Sequence, residues 1–225
     1  MVDITSNIIL LKKQIPASVR LVAVSKTRQA GEILEAYNTG QRLFGENRVQ
    51  ELLGKKDLLP ADIQWHLIGH LQSNKVKYIV PFISMIESVD SIKLLRTIND
   101  EAVKAGRVVD CLLQVHIAIE ETKFGFSTNE IIELAAGGEF ANLQGISLSG
   151  VMGMATFTDD LTQVKREFTD LADCFSHLKS HYFADNINFK EISMGMTSDY
   201  LTAIESGSTI IRIGSLIFGE RNIKN

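Results

Sequence analysis

The fold class of this chain is decided by one stretch, Arg20-Leu21-Val22-Ala23-Val24-Ser25-Lys26-Thr27. A short apolar run rich in valine is typical of a strand that is buried on both faces of a parallel sheet. Lys26 follows the end of this run, and the carboxyl ends of the strands carry the active site in an α/β barrel. An amine placed there can lose hydration and proton affinity and become a nucleophile toward carbonyl groups. Because lysine is rarely buried without a partner, the run alone also fits a lysine that leaves the strand into water.

The size and composition of the chain indicate one globular domain over residues 1–225, since 45% of its 225 residues are hydrophobic and 22% are charged. A net charge of −4 provides no electrostatic attraction for nucleic acid. The first residues lack the basic start and apolar core of a secretory signal, and no apolar stretch is long enough to span a bilayer. Cys111 and Cys174 are expected to be buried or semi-buried free thiols in a reducing cytosol. We therefore expect a cytoplasmic protein that binds neither nucleic acid nor a membrane.

Short apolar runs alternate with helical segments along the whole chain. The predicted strands cover residues 20–25, 42–45, 64–69, 84–89, 108–117, 145–152, 190–194 and 209–213. The predicted helices cover residues 3–15, 28–38, 46–56, a segment from about 73, 92–105, 128–136, 159–182, 197–206 and a short segment near 216. Eight strand–helix units predict a (β/α)₈ TIM barrel with an extra N-terminal helix, and an open doubly wound sheet is the alternative. Basic pairs such as Lys55-Lys56 are expected on solvated helix faces.

Two stretches near the C terminus predict a phosphate site. Predicted strand seven leads into Ser193-Met194-Gly195-Met196-Thr197-Ser198-Asp199, and predicted strand eight leads into Arg212-Ile213-Gly214-Ser215. Glycine lets the backbone approach a ligand closely, while hydroxyls and the N–H groups at a helix start donate to anions. The loops after strands seven and eight are the usual phosphate site of this barrel. For the first stretch taken alone, a helix cap with a turn is the alternative.

Three polar side chains at strand ends each leave two interpretations open. Arg212 shares a strand face with Ile210 and Gly214, so its guanidinium either points to a ligand from the barrel interior or faces outward to a helix carboxylate. Asn47 can donate to a ring oxygen or cap a helix. His66 lies in an apolar run, where a histidine is more often a hydrogen-bonded core residue than a ligand.

Two further features predict no site of their own. His177 and His181 have helical spacing but lack a third ligand, so no metal is expected. The polar stretch 120–125 is predicted to be a rim loop in which Lys123 pairs with a glutamate, or plain surface.

Together these motifs resemble the pyridoxal phosphate homeostasis family, a group of small single-domain barrel proteins. The resemblance covers nearly the whole chain in order, and the motifs are specific as a set although each is weak alone. The matching stretches are Ala23-Val24-Ser25-Lys26-Thr27, Phe44-Gly45-Glu46-Asn47, Trp65-His66-Leu67-Ile68-Gly69, Leu71-Gln72-Ser73-Asn74-Lys75, Ser193-Met194-Gly195-Met196 with Asp199, and Arg212-Ile213-Gly214 with Ile217-Phe218-Gly219. Two positions depart from the family pattern: Thr197 stands where serine is common, and His116 where many members have asparagine.

The resemblance implies the alanine racemase-like barrel of fold-type III enzymes, with pyridoxal 5′-phosphate as the cofactor. It implies that Lys26 holds the cofactor aldehyde as a Schiff base and that Arg212 faces the pyridine nitrogen. Asn47 is also assigned to the cofactor site. The residues that align with the phosphate-binding stretches are Ser193, Gly195, Met196, Thr197, Gly214 and Ser215.

An arginine at the ring nitrogen favours a carrier over a catalyst. Because a guanidinium stays protonated, the pyridine nitrogen does not readily gain a proton, and the ring becomes a poor electron sink. We also expect no second domain to supply another base. The leading hypothesis is therefore a monomeric, non-enzymatic carrier that binds pyridoxal phosphate and transiently contacts apoenzymes that use it. The alternatives are an amino-acid racemase or decarboxylase that uses the same lysine, and a cofactor-free Schiff-base aldolase.

Overall fold

Eight parallel strands close into a barrel in chain order, and the last strand pairs with the first. The computed structural model describes residues 2–120 and 124–220. The strands are β1 (Arg20–Val24), β2 (Leu43–Glu46), β3 (Gln64–Leu67), β4 (Met85–Val89), β5 (Val109–Gln114), β6 (Ile146–Met152), β7 (Glu191–Ser193) and β8 (Ile210–Ile213). This closure confirms the predicted TIM barrel, and the open sheet that was its alternative is wrong.

Helices follow the strands and form the outer layer. They are α1 (Ile4–Gln14), α2 (Ala30–Asn38), α3 (Val49–Lys56), α4 (Val76–Ile79, after a 3₁₀ turn at Ser73–Lys75), α5 (Ile92–Lys104), α6 (Thr128–Ala136), α7 (Leu161–His181), α8 (Tyr200–Glu205) and α9 (Ser215–Phe218). The predicted extra helix is α1, which begins at an Asp3 cap that accepts the Ser6 N–H at 2.9 Å. Asn7 in α1 donates to the Ile217 carbonyl of α9 at 3.1 Å, which ties the two ends of the chain together.

Alternate residues of each strand face two different cores. The larger core lies between the strands and the helices and contains Phe44, Leu52 and Ile33, each of which is fully buried. A separate small cluster fills the barrel interior. Its buried members are Val22, Met85, Leu112, Met152 and Ile210. Because side chains alternate along a strand, the residues two positions beyond this cluster point into the same interior, nearer to the carboxyl ends of the strands.

Three predicted boundaries are wrong by a few residues near those carboxyl ends. Strand β5 ends at Gln114 rather than at 117, because the chain beyond it pairs with Phe126, whose N–H donates to the Gln114 carbonyl and whose carbonyl accepts from the His116 N–H. The helix predicted at 46–56 begins only at Val49, since Glu46 still belongs to strand β2. The helix predicted at 197–206 begins at Tyr200, because the chain first makes a turn at residues 196–199 in which Asp199 bonds the Met196 N–H at 2.5 Å.

The backbone of the barrel leaves no room for a side chain at Gly150 of strand β6. Strand β6 has one extra residue against β5, and Gly150 beside this bulge has φ +148°. A Cβ at this position would lie 1.8 Å from the Glu191 carbonyl oxygen of β7. We expect Gly150→Ala to lower the free energy of unfolding by about 2–4 kcal/mol, measured by urea denaturation.

The matched control is Gly54→Ala in helix α3, where an added Cβ has no neighbour within 4 Å. Alanine is the better helix former, so this variant should gain about 0.5–1 kcal/mol. Equal free energies of unfolding for the two variants would contradict the conclusion that the β6 bulge requires glycine at position 150.

Candidate functional site

Lys26 lies at the barrel mouth, the end formed by the carboxyl termini of the strands. It follows strand β1 and is partly buried. Its chain neighbour Thr27 has φ +67°, a left-handed conformation that a β-branched residue rarely adopts. Backbone strain of this kind clusters at functional sites, so the turn that carries Lys26 is a candidate active-site element.

The two predicted phosphate stretches meet at the same mouth. The Ser215 hydroxyl donates to the Thr197 hydroxyl at 3.2 Å, and the Arg212 N–H donates to the Gly195 carbonyl at 2.9 Å. Gly195 has φ +97°, and a Cβ there would lie 2.6 Å from the Ala203 methyl group, so the loop needs glycine to pack on α8. Within residues 2–120 and 124–220, the backbone N–H groups of Thr197 and Ser198 donate to no other group. These loops therefore present donors suited to an anion.

Below the mouth, the barrel interior contains four linked polar residues, which we call the polar layer: His66, Glu87, Ser193 and Arg212. Arg212 Nη1 donates to Ser193 Oγ at 2.6 Å, and Ser193 Oγ donates to Glu87 Oε2 at 2.5 Å. The second Glu87 oxygen lies 2.6 Å from His66 Nδ1. Arg212 Nη2 donates to the Gly153 carbonyl at 2.9 Å. All four residues are buried, so this network holds the guanidinium in one orientation.

The polar layer also fixes the charges inside the barrel. Burial alone would raise the pKa of Glu87, but hydrogen bonds from His66 and Ser193 and the positive field of Arg212 bring that pKa below its ordinary value. Burial lowers the pKa of Arg212, while Glu87 and Asp199 act in the opposite direction. A guanidinium is not deprotonated in proteins at neutral pH, and the adjacent carboxylate of Glu87 favours the charged form of Arg212. The interior thus carries a paired carboxylate and guanidinium.

Two open questions about strand residues are settled by this geometry. Arg212 points into the barrel with Ile210, so the outward alternative is wrong. The interpretation of His66 as a hydrogen-bonded core histidine is confirmed. Ser193 was assigned to the phosphate stretch, yet its hydroxyl lies below the mouth and is occupied by Glu87 and Arg212.

A second buried network lies outside the barrel wall, between β1, β2 and α3. We call it the turn clamp: Ser25, Glu46, Glu51 and Lys55. Lys55 Nζ donates to the Ser25 carbonyl at 2.9 Å, to Glu46 at 2.9 Å and to Glu51 at 2.6 Å. The Ser25 hydroxyl donates to Glu46 at 2.6 Å. Burial raises the pKa of Glu46, against the lowering effect of its bonds from Ser25 and Lys55.

The prediction that Lys55 lies on a solvated helix face is therefore wrong. Only 9% of Lys55 is exposed, because its ammonium is paired with two carboxylates. The sequence contains one signal for this pairing, since Glu51 precedes Lys55 by four residues and the two share a helix face. The partner on another element, Glu46, has no such signal.

Asn47 follows strand β2 at the mouth. Its Oδ1 atom is buried and accepts no hydrogen bond from the described residues. It does not cap α3, whose N-cap residue is Arg48. Gly69 packs against it so closely that a Cβ would lie 2.4 Å from the Asn47 carbonyl oxygen. Because a buried oxygen without a hydrogen bond is costly, Asn47 Oδ1 is a candidate acceptor for a hydrogen bond from a ligand.

The remaining sequence predictions concern metals, membranes and the rim loop. No group of three metal-binding side chains occurs in the part of the chain that the structure describes. Among the same residues, no helix has the length and apolar character needed to cross a lipid bilayer. The prediction for Lys123 in the 120–125 loop concerns a residue outside the described ranges.

Comparisons with known proteins identify the class to which this fold and site belong. The family model of the alanine racemase N-terminal domain matches residues 2–222, so the chain is a member of that family. Alanine racemase of Clostridium difficile has the same fold, with a TM-score of 0.72 at 13% identity over 99% of this chain and 57% of that one.

Within this class, the chain belongs to the pyridoxal phosphate homeostasis proteins. The protein of that name from Aquifex aeolicus is 38% identical over 90% of this chain and 87% of its own length. The human protein of that name is 40% identical over 90% of this chain and 77% of its own length. The structure of PipY from Synechococcus elongatus with PLP bound matches with a TM-score of 0.87 at 35% identity, over 96% of this chain and all of that one.

The polar layer predicts a specific acid sensitivity. Because the folded pKa of Glu87 lies below its ordinary value, its ionised form stabilises the fold above a pH of about 5, and this contribution is lost as pH falls through the folded pKa. Glu87→Gln should cost about 3–5 kcal/mol at pH 7, since Arg212 remains buried without its counter-charge. The cost should shrink as pH falls, measured by urea denaturation from pH 7 to pH 4.

Glu133→Gln, at an exposed position of α6, is the control and should change stability little at any pH in this range. A Glu87→Gln cost that stays constant with pH would show that Glu87 is not ionised in the folded protein.

Proposed function

We propose that this protein binds pyridoxal 5′-phosphate through a covalent bond to Lys26 and serves in cofactor homeostasis without robust turnover. The observation that supports this most strongly is the meeting of three elements at one barrel mouth: an amine on a strained turn, a buried guanidinium and a loop pair rich in donors. Residues 1–225 act as one cofactor-binding domain in this proposal. We further propose a monomer located in the cytoplasm, where the buried free thiols of Cys111 and Cys174 would stay reduced.

The two loops fit a phosphate group in both shape and donor chemistry. Gly214 directly follows β8, and a Cβ there would lie 3.5 Å from Val24 on the neighbouring strand β1. The glycine therefore keeps the start of α9 close to the strand that precedes Lys26. The hydroxyls of Thr197 and Ser215, with the backbone of Gly195 and Met196, would hold the phosphate.

Arg212 and Asn47 fit the aromatic ring of the same cofactor. Two of the five N–H donors of Arg212 are used by Ser193 and Gly153, so donors remain for the pyridine nitrogen. The buried Oδ1 of Asn47 is an acceptor that a ring hydroxyl could satisfy. Ser193 would act from below by orienting Arg212 rather than by touching phosphate.

Bound pyridoxal phosphate would supply an aldehyde group that reacts with amines. The residues of this chain then have distinct tasks. Lys26 would provide the reacting nitrogen, and the two loops would orient the phosphate. Arg212 would donate a hydrogen bond to the ring nitrogen and, because Glu87 favours its charged form, would keep its own proton.

This charge arrangement supports a carrier. A ring nitrogen that stays unprotonated withdraws electrons weakly, so carbanion chemistry gains little. A racemase also needs an acid or base on the second face of its substrate, and the four tyrosines offer none at the mouth. The Tyr37 hydroxyl bonds Asp62, the Tyr200 hydroxyl bonds Gln14 of α1, and Tyr78 and Tyr182 lie on or beside α4 and α7. Transient contact with apoenzymes would then pass the aldehyde to another lysine.

The covalent assignment is tested by trapping. Purified protein incubated with pyridoxal phosphate and reduced with borohydride should carry the pyridoxyl group on Lys26, as located by peptide mass mapping. Lys26→Ala should lose both the label and the visible absorbance band of the bound cofactor. Lys104→Ala, which removes an exposed lysine of α5, is the control and should behave as wild type. A label on any other lysine would refute the assignment.

The carrier assignment is tested by turnover. We expect the loaded protein, incubated with a panel of L-amino acids, to show no racemisation or decarboxylation above that of free pyridoxal phosphate. Chiral chromatography and carbon dioxide release are the measurements. Sustained turnover that disappears in Lys26→Ala would replace the carrier with an enzyme.

A further inference from the structure

The turn clamp surrounds the backbone of Lys26 from the outside of the barrel. Lys26 lies in a tight turn closed by the Arg28 N–H, which donates to the Ser25 carbonyl at 3.0 Å. That same carbonyl accepts from Lys55 Nζ at 2.9 Å. On the other side of Lys26, the Thr27 N–H donates to Glu51 Oε1. Both chain neighbours of Lys26 are therefore fixed by side chains of helix α3.

The clamp holds a conformation that the chain would not choose by itself. Thr27 has φ +67°, and a β-branched side chain at positive φ crowds its own backbone. Thr27 is exposed, so packing of its side chain does not enforce this angle. Instead, the hydrogen bond from the Thr27 N–H to Glu51 Oε1 favours this backbone angle. Lys55 Nζ donates to the same Glu51 oxygen at 2.6 Å and so keeps it in place.

The composition of the clamp also indicates a role other than stability. Lys55 and Glu46 are buried and Glu51 is partly buried, so these charged groups lose hydration that their mutual attraction barely restores, and apolar residues often replace such groups without loss. Here the charged groups converge on the two peptide units that flank Lys26, on the side of strand β1 opposite the polar layer.

We propose that Glu51 and Lys55 are positioning residues that aim the Lys26 amine at its carbonyl ligand by holding the Ser25–Arg28 turn. This inference rests on the proposed function, because it takes Lys26 as the reacting amine. Neither residue touches the phosphate loops, so their removal should slow the condensation step while leaving phosphate recognition intact.

The test measures the rate at which Lys26 is labelled by pyridoxal phosphate and borohydride as the concentration of pyridoxal phosphate varies. Replacing Lys55 would leave Glu46 buried without its cation, so the variants are made at Glu51. Glu51→Leu removes the acceptor for Thr27 and should lower the saturating rate by about tenfold, with little change in the half-saturating concentration. Glu51→Gln keeps an oxygen acceptor and should restore most of the rate.

A second-site variant separates positioning from a general loss of stability. Thr27→Gly in the Glu51→Leu background should recover much of the lost rate, since glycine adopts positive φ without strain. Glu191→Leu removes the contacts of Glu191 with Arg20 and Thr209 at the opposite end of the barrel, and it should lower the melting temperature without slowing the labelling of Lys26.

The outcomes distinguish this inference from the proposed function. If wild-type protein labels at Lys26 and Glu51→Leu labels at the same saturating rate, the positioning role is wrong and the proposed function stands. If Thr27→Gly fails to recover any rate in the Glu51→Leu background, the strained turn is not what Glu51 controls, and the inference is overturned. If wild-type Lys26 resists labelling, the proposed function fails and this inference fails with it.

Discussion

The buried pair of Arg212 and Glu87 is the constraint on which the rest of the site depends. A charge in the barrel interior costs several kcal/mol unless an opposite charge and good hydrogen bonds accompany it. The carboxylate of Glu87 provides both through Ser193, whose hydroxyl lies between the two charged groups. Because Ser193 and the Gly153 carbonyl accept two of its five N–H donors, the guanidinium has a fixed orientation before any ligand arrives.

Strand β1 lies between the barrel interior and the turn clamp. Its alternate residues point to opposite sides, so Val22 contributes to the barrel interior while Ser25, just beyond the strand, joins the turn clamp with Glu46 and Lys55. Lys26 therefore follows a strand that is held from both sides. In the proposed function, contacts on both sides of this strand would limit the motion of the backbone that carries Lys26 and so help to aim its flexible side chain.

The sequence predicted features that depend on local patterns and missed those that depend on distant pairing. The alternation of apolar runs with helical segments predicted the eight strands. Because Ile210 and Arg212 lie two residues apart and share a strand face, an inward-pointing guanidinium was one of the two predicted orientations. Glu87 was not predicted as part of the site, because it contacts Ser193 across 106 residues of sequence and its neighbours Ile86 and Ser88 look like ordinary strand residues. Burial of Lys55 was missed for the same reason, since Glu46 lies on another element.

The likeness to alanine racemase bears on function only through this site. It covers 99% of this chain but 57% of the racemase of Clostridium difficile, so what the two proteins share is the barrel. A barrel can bring an amine, a cation and an anion site together without supplying a second acid–base group. In the proposed function, the distinction between holding an aldehyde and transforming an amino acid depends in part on charge. Glu87 favours the protonated form of Arg212, so Arg212 would offer a ring nitrogen a hydrogen bond rather than a proton.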